Sequence, residues 1–118
     1  MISLEEFFAS VGSDASAVIG RLGGNSALIM RFLAMFRADT SYDELCTALD
    51  NDNTEAAFRA AHKLKGVAGT LGFQSLYDQA SSVTEMLRGG DLASAKVARP
   101  ELEKAYAQVL EALKNINL

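Results

Sequence analysis

Apolar residues recur three or four positions apart along almost the whole chain, the spacing that places them on one face of an α-helix. The C-terminal segment shows this spacing over four turns, at Leu102, Tyr106, Val109, Leu113 and Ile116. Runs in which β-branched residues occupy every second position, as in a strand, are absent. The pattern therefore predicts an all-α fold.

The first 22 residues predict one or two short helices. Ser3 followed by Glu6 is a capping-box pattern that opens the first of them. The residues Gly12-Ser13-Asp14 end this helix and begin a second one over 15–22. We expect a helical piece over 1–22 that precedes the main part of the domain.

Four longer helical segments follow, separated by short glycine or polar turns. Asn25 or Ser26 caps the first and Asp91 caps the last. The predicted segments are 25–50, 54–71, 74–88 and 91–115, and Pro100 is expected to kink the last one or to restart it. Short connections place consecutive helices side by side in opposite directions. We therefore expect an antiparallel four-helix bundle over 25–116, in a single domain over 1–118.

Composition narrows the possible partners. Of 118 residues, 49% are hydrophobic and 22% are charged, which suits a globular domain with one core and argues against disorder. The net charge of −4 argues against a surface that binds nucleic acid or an anionic membrane. Any basic site must be local.

The chain has one cysteine, Cys46, and one histidine. A single cysteine excludes an internal disulfide, and one cysteine with one histidine is too few for a zinc site of the usual type. We therefore expect no metal site, and a reducing, cytoplasmic setting. The sequence shows neither a signal peptide nor a membrane span. A complete bundle after Met1 favours a free-standing protein over a segment of a hybrid kinase.

The predicted helix over 54–71 carries the histidine. Its core stripe falls within about 80° of the helix surface and consists of Ala57, Ala61, Leu64, Ala68 and Leu71. His62, Gly66 and Gly69 lie roughly 120° to 180° from Ala57. The imidazole is therefore predicted to face away from the core, with two positions that lack a side chain beside it.

Both glycines need an explanation, because glycine inside a helix costs about 1 kcal/mol relative to alanine. Room for a bulky group beside His62 would explain Gly66 and Gly69. Lys65 lies one turn beyond His62, and residues 54–71 carry a net charge of +2. The local basic site therefore surrounds the histidine.

An exposed imidazole beside a lysine and open space suits the acceptance of a phosphoryl group. An ordinary imidazole is mostly neutral at pH 7 and is a competent nucleophile. Phosphoryl transfer requires positioning, charge stabilisation and clear space for in-line attack. His62 would be the acceptor, Lys65 would balance charge on the phosphoryl oxygens, and Gly66 and Gly69 would give access.

The run His62-Lys63-Leu64-Lys65-Gly66-Val67-Ala68-Gly69-Thr70-Leu71-Gly72 resembles the H-x-L-K-G-x-x-x-x-L-G signature of histidine-containing phosphotransfer (HPt) domains. The resemblance covers the whole chain in outline. It implies that His62 accepts a phosphoryl group from the aspartyl phosphate of one receiver domain and passes it to another in two-component signalling. It also implies a monomeric phosphoryl carrier without a cofactor of its own, since the Mg²⁺ that such transfers need sits on the receiver.

The chain departs from the family pattern at one position. The family usually has glutamine or glutamate 22 residues after the histidine, where its side chain holds the other imidazole nitrogen. This chain has Thr84 there. Either Thr84 orients the ring, or Glu85 or Gln79 replaces it, or water does.

A receiver partner predicts exposed apolar residues and positive charge around the histidine. The residues that we nominate for this surface are Phe58, Arg59, Lys63, Lys65, Gly69 and Phe73. Residues 27–36 hold more apolar side chains than one helix face can bury, so Met30 or Met35 is expected to be exposed. Part of that surplus would serve docking.

Three other functions compete with this one. A non-catalytic docking module would not need histidine, lysine and glycine together at this spacing. A kinase dimerisation domain needs a catalytic partner domain, and the chain shows no glycine-rich phosphate loop or acidic metal site for ATP. A haem or ligand site through His62 would need the ring to point into the bundle.

Overall fold

The computed structural model describes residues 2–116, which form seven α-helices and no strand. The helices are α1 (Leu4–Ser10), α2 (Ala15–Arg21), α3 (Ser26–Ala38), α4 (Ser41–Asp50), α5 (Thr54–Thr70), α6 (Gln74–Arg88) and α7 (Leu92–Leu113). The all-α prediction and the two short N-terminal helices are confirmed.

Polar side chains cap most of these helices at the positions that the sequence indicates. Ser3 and Glu6 form both halves of a capping box at α1. The side chains of Asn25, Asn53 and Asp91 accept hydrogen bonds from backbone N–H groups in the first turns of α3, α5 and α7. Each cap fixes the residue at which its helix begins.

The helices α4, α5, α6 and α7 form a ring around one core, in which each helix packs against its two neighbours. Three-residue turns join them, so successive helices run in opposite directions. The molecule measures 40 × 23 × 20 Å, with its long axis along the bundle. The antiparallel four-helix bundle is confirmed, with α4 as one of its four members.

The prediction of one helix over 25–50 is wrong, because the chain breaks between α3 and α4. Asp39 is extended (φ −68°, ψ 136°), and its carboxylate accepts a hydrogen bond of 2.8 Å from the N–H of Ser41. Short polar side chains compete in this way with helical hydrogen bonds. The run Asp39-Thr40-Ser41 therefore ends one helix and starts another, and α3 is not one of the four helices of the ring.

The expected restart at Pro100 does not occur. α7 continues from Leu92 to Leu113 with Pro100 inside it. Pro100 is exposed, so the carbonyl that its missing N–H leaves free is on the solvent side of the helix.

The turn after α5 is closed by a Schellman motif. The N–H of Phe73 bonds the carbonyl of Ala68 (3.0 Å) and the N–H of Gly72 bonds that of Gly69 (3.2 Å). Gly72 has φ +69°, a conformation that glycine adopts without strain. The prediction that Gly72 ends this helix is confirmed.

The N-terminal helices pack on this same turn. The Ser13 hydroxyl donates to the carbonyl of Gly72, and Arg21 Nη1 donates to that of Gly69 at 2.9 Å. Phe7 and Phe8 are fully buried, and both rings contact Phe73. The helices α1 and α2 therefore cover the end of the bundle where α5 meets α6.

Two further features tie α7 to the rest of the bundle. Tyr42 of α4 and Tyr106 stack with ring centroids 4.1 Å apart. At the other end of α4, Arg99 pairs with Asp50 at 2.6 Å, and Lys96 pairs with Asp52 in the turn that follows. None of the helices described over residues 2–116 is both long enough and apolar enough to cross a membrane.

Candidate functional site

The helix α5 presents its two faces as the sequence predicts. All five residues of the predicted core stripe are buried: Ala57, Ala61, Leu64, Ala68 and Leu71. His62 and Gly66 are exposed, and Lys65 and Gly69 are half-buried. The only histidine therefore lies on the solvent face of α5, near the edge that packs against α6.

An aromatic ring and a guanidinium lie next to the imidazole. The ring of Phe58, one turn before His62, meets the imidazole edge to face at 6.0 Å between centroids. The Arg88 guanidinium from α6 lies 5.0 Å from the centre of the Phe58 ring and pairs with Glu85 at 3.2 Å. Phe58 is half-buried, as expected for a residue at the border of core and solvent.

The two glycines differ in their surroundings. A Cβ atom at Gly66 would meet no atom within 4 Å, so the surface beside His62 is open there. A Cβ atom at Gly69 would lie 3.1 Å from the ring of Tyr77 on α6. Gly66 fits the predicted role in access, whereas Gly69 allows α6 to approach closely, which corrects its assignment to access.

Lys65 lies on the same side of α5 as His62 and is not held by an acid. Its Nζ lies 6.0 Å from the centre of the Tyr77 ring, and it forms no ion pair with any residue in the range 2–116. The ammonium is therefore available to an anion bound at His62.

The structure does not place the Thr84 hydroxyl against the imidazole. Thr84 is 0% exposed, and its hydroxyl donates to the carbonyl of Ala80 at 2.6 Å, on its own helix. Of the two substitutes, Glu85 pairs with Arg88, and Gln79 lies about 160° around α6 from Tyr77, which faces α5. None of the three side chains forms a hydrogen bond with His62.

The nomination of Phe73 as a partner contact is wrong. Phe73 is 1% exposed and lies among the rings of Phe7, Phe8 and Phe36. It is one of the apolar residues predicted from the sequence to be exposed around the histidine. The N-terminal helices instead cover that loop and draw Phe73 into the core.

Arg59 and Lys63 are exposed, as expected, but they face the α4 side of α5. Arg59 pairs with Glu55 at 2.7 Å, and both cations line a shallow surface recess with Glu44. They lie on the flank of α5 opposite to Tyr77.

A second recess is apolar and lies between α3 and α5. It has a volume of about 180 Å³ and is lined by Phe32, Met35, Phe36, Asp39, Val67, Thr70 and Leu71. Met35 is 58% exposed, which confirms the predicted surplus on α3. Thr70 lies one turn beyond Gly66, and its hydroxyl donates to the Gly66 carbonyl, so this apolar surface adjoins the site at Thr70.

Sequence reasoning missed the contributions of α2 and α6 to the site. Tyr77 and Arg88 contact the His62 edge of α5, and Arg21 reaches Gly69 from α2. Antiparallel pairing across the turn at 71–73 brings Tyr77 near Gly69, a signal available in the spacing. Nothing local in the sequence indicates the contact of Arg21.

The site offers a nucleophile and a cation in an open position. Within residues 2–116 there is no group of three or more histidine, cysteine, aspartate or glutamate residues arranged to hold a metal ion. The arrangement of His62, Lys65 and Gly66 suits the acceptance of an anionic group at an imidazole nitrogen.

A comparison with known protein families identifies the region that contains α5. The profile of the Hpt domain family matches residues 31–114, which include α5 and its histidine. No curated protein and no solved structure matches the chain. The match covers well over half of the chain, and the fold is the helical bundle of such domains. This chain belongs to the Hpt domain family, whose members are phosphocarrier modules of two-component signalling.

Proposed function

We propose that this protein carries a phosphoryl group on His62 between the aspartates of two receiver domains. One observation carries the proposal: the only histidine is exposed on α5, with an open helix surface at Gly66 and an unpaired ammonium at Lys65. In-line attack on phosphorus needs this clear approach, and the cation offsets charge on the phosphoryl oxygens.

The transfer requires a neutral imidazole with its proton on Nδ1 and a lone pair on Nε2. The Nε2 lone pair attacks phosphorus, an N–P bond forms, and the P–O bond to the receiver aspartate breaks. The carboxylate leaves with the bonding electrons, and the ring keeps its proton on Nδ1. The second receiver reverses these steps with its own aspartate.

The surroundings of His62 suit an acidic partner. A receiver presents a carboxylate pocket, and its approach would be favoured by Lys65, Lys63 and Arg59. The apolar surface at Met35 and Val67 meets the site through Thr70, one turn beyond Gly66, and would be covered in the complex. In this proposal the protein is a monomeric carrier that uses no ATP, and the receiver supplies the Mg²⁺.

The test follows phosphate on the protein. Wild-type protein and His62→Gln are incubated with a phosphorylated receiver domain and Mg²⁺, and acid-labile, base-stable phosphate is measured by mass. We expect one phosphoryl group on the wild type and none on the variant. Receiver binding without phosphate on His62 would instead identify a docking module.

Two lysine variants separate chemistry from docking. Lys65→Gln and Lys63→Gln each remove one positive charge, but Lys65 alone lies on the His62 side of α5. We expect transfer to Lys65→Gln to be about tenfold or more slower than to wild type, and Lys63→Gln to change mainly the binding of the receiver. Equal rates for the two variants would remove Lys65 from the mechanism.

A further inference from the structure

The imidazole of His62 has an aromatic neighbour on its own helix. The ring of Phe58 lies one turn before it, with 6.0 Å between the ring centroids and 77° between the ring planes. No other aromatic ring among residues 2–116 packs against the imidazole. In this edge-to-face arrangement the positive edge of one ring meets the negative face of the other, which favours a defined orientation of the pair.

The residue of α6 that lies level with His62 does not hold its ring. Arg88 of α6 lies against Phe58, and antiparallel pairing of the two helices then places Thr84 level with His62. Thr84 is fully buried, and its hydroxyl donates to a carbonyl of its own helix. The contact that orients the imidazole therefore comes from Phe58 on α5.

Phe58 is itself held in place by α6. Its ring is half-buried and packs against the core on one side, and it borders a surface recess beside Thr54 and Leu87 on the other. The Arg88 guanidinium lies 5.0 Å from the ring centre, within reach of a cation–π contact, and pairs with Glu85 at 3.2 Å. The recess gives the Phe58 ring room to move, and the guanidinium restricts that movement.

Phe58 and Gly66 lie on opposite sides of His62 along α5. Phe58 is four residues before His62 and Gly66 is four residues after it, so the three share one strip of helix surface. An exposed side chain on a helix otherwise moves among its allowed rotamers. The ring contact favours the rotamer that leans on Phe58, which leaves the open surface at Gly66 free for an incoming phosphoryl group.

We propose that Phe58, held by Arg88, is the positioning residue for His62, and that its ring selects the imidazole rotamer that keeps the Gly66 side open to phosphorus. An aromatic contact within α5 thus takes the place of the orienting group expected at Thr84. This inference rests on the proposed function for its purpose, whereas the orientation of the ring is measured without a partner.

The first test measures the χ1 rotamer of His62 in the unphosphorylated protein, from three-bond couplings to its β protons. The shifts of its carbon-bound ring protons are recorded as well, and they are unambiguous because the chain has one histidine. We expect one predominant rotamer in wild type and in Phe58→Tyr, which keeps the aromatic ring. We expect a mixture of rotamers in Phe58→Leu, with ring-proton shifts moved towards those of free histidine.

The matched control for this test is Phe32→Leu, which makes the same change at a half-buried position of α3. It should leave the His62 rotamer unchanged. A mixture of rotamers in wild type, or the wild-type rotamer in Phe58→Leu, would overturn the proposal.

Two arginine variants test the support from α6. Arg88→Gln and Arg59→Gln each remove one positive charge and one pair with a glutamate, but only Arg88 lies against the Phe58 ring. We expect Arg88→Gln to change the His62 rotamer populations in the same direction as Phe58→Leu, and Arg59→Gln to leave them unchanged. Equal effects of the two variants would refute the role of Arg88 in holding Phe58.

The last test measures the rate of phosphoryl transfer from a receiver as a function of receiver concentration. We expect the rate at saturating receiver to be roughly twofold to tenfold lower for Phe58→Leu and to be restored in Phe58→Tyr, with circular dichroism and melting temperature as folding controls. A change confined to the half-saturating concentration would make Phe58 a docking contact and refute its positioning role. A single His62 rotamer in a wild-type protein that accepts no phosphate would refute the proposed function and leave the ring contact in place.

Discussion

Gly66 and Gly69 lie within one turn of α5, yet a methyl group would meet different surroundings at each. At Gly66 it would point into open space, and at Gly69 it would press on the Tyr77 ring at 3.1 Å. Helical glycine costs about 1 kcal/mol relative to alanine. The chain therefore keeps Gly66 although alanine would fit and would stabilise the helix.

We expect Gly66→Ala to raise the free energy of unfolding by about 1 kcal/mol and to slow phosphoryl transfer, because the methyl group narrows the approach to His62. Gly69→Ala should give no such gain, since overpacking against Tyr77 costs about 1–3 kcal/mol. Urea denaturation and transfer rates on both variants check this. If Gly66→Ala is more stable and transfers at the wild-type rate, the open surface has no role in access.

At the residue scale, the sequence predicts the face of α5 well because helical periodicity alone separates Ala61 from His62. It predicts Phe73 and Thr84 poorly. The environment of Phe73 is set by α1 and α2, which precede it by more than 50 residues. The hydroxyl of Thr84 is turned to Ala80 by a rotamer choice that spacing does not encode.

The turn between α5 and α6 is the element on which the N-terminal helices rest. A Cβ atom at Gly72 would lie 2.6 Å from Val18 Cγ2 of α2, and Gly72 also has φ +69°. Gly90, after α6, shares the left-handed conformation with φ +78° but has no atom within 4 Å of such a Cβ. Substitutions at the two glycines can therefore distinguish the effect of backbone strain, present at both, from the effect of packing against α2, present only at Gly72.

We expect Gly90→Ala to lower the free energy of unfolding by about 1–2 kcal/mol, through backbone strain alone. Gly72→Ala should cost about 1–3 kcal/mol more, because α2 must also move. Chemical denaturation of both variants gives the difference, and Val18→Ala in the Gly72→Ala background should recover part of it. Equal losses at the two glycines would mean that α2 does not pack on the turn as described.

The elements themselves were largely predictable, because caps and glycine stops mark their ends. The exception is the break at Asp39. On one continuous helix Phe36 and Leu45 would lie about 180° apart, so the change of face between them was a signal of the interruption. The break depends on one side chain bonding its own backbone at Ser41. A list of apolar positions predicts helix, and only their angles show that the buried face changes between α3 and α4.

At the scale of the whole molecule, the stacked tyrosines make stability depend on alkaline pH. The pKa of Tyr42 is raised far above its usual value, mainly by burial and secondly by its contact with Cys46. Burial also raises the pKa of Tyr106. An unfolded tyrosine loses its proton near pH ~10. Above that pH the unfolded chain has lost protons that the folded protein keeps, so stability is full below pH ~10 and falls as the pH rises.

We expect the urea midpoint of the wild type to fall as the pH rises above ~10, and to fall less steeply in the Tyr42→Phe/Tyr106→Phe variant, which keeps both rings. Denaturation series on both proteins at neutral and alkaline pH measure this, and similar midpoints at neutral pH would show that the core is retained. Parallel declines in the two proteins would place the alkaline sensitivity elsewhere.

The contacts of α2 with the end of α5 also bear on the order of folding. The Arg21–Gly69 contact joins residues 48 positions apart and the neighbouring Ser13–Gly72 contact joins residues 59 positions apart, whereas α5 meets α4 and α6 across three-residue turns. Closing a long loop costs more entropy than closing a short one, and this entropy is lost before the contact can stabilise the structure. We therefore expect the hairpin of α5 and α6 to assemble ahead of the N-terminal helices, and Val18→Ala to raise the unfolding rate more than it lowers the folding rate in stopped-flow measurements.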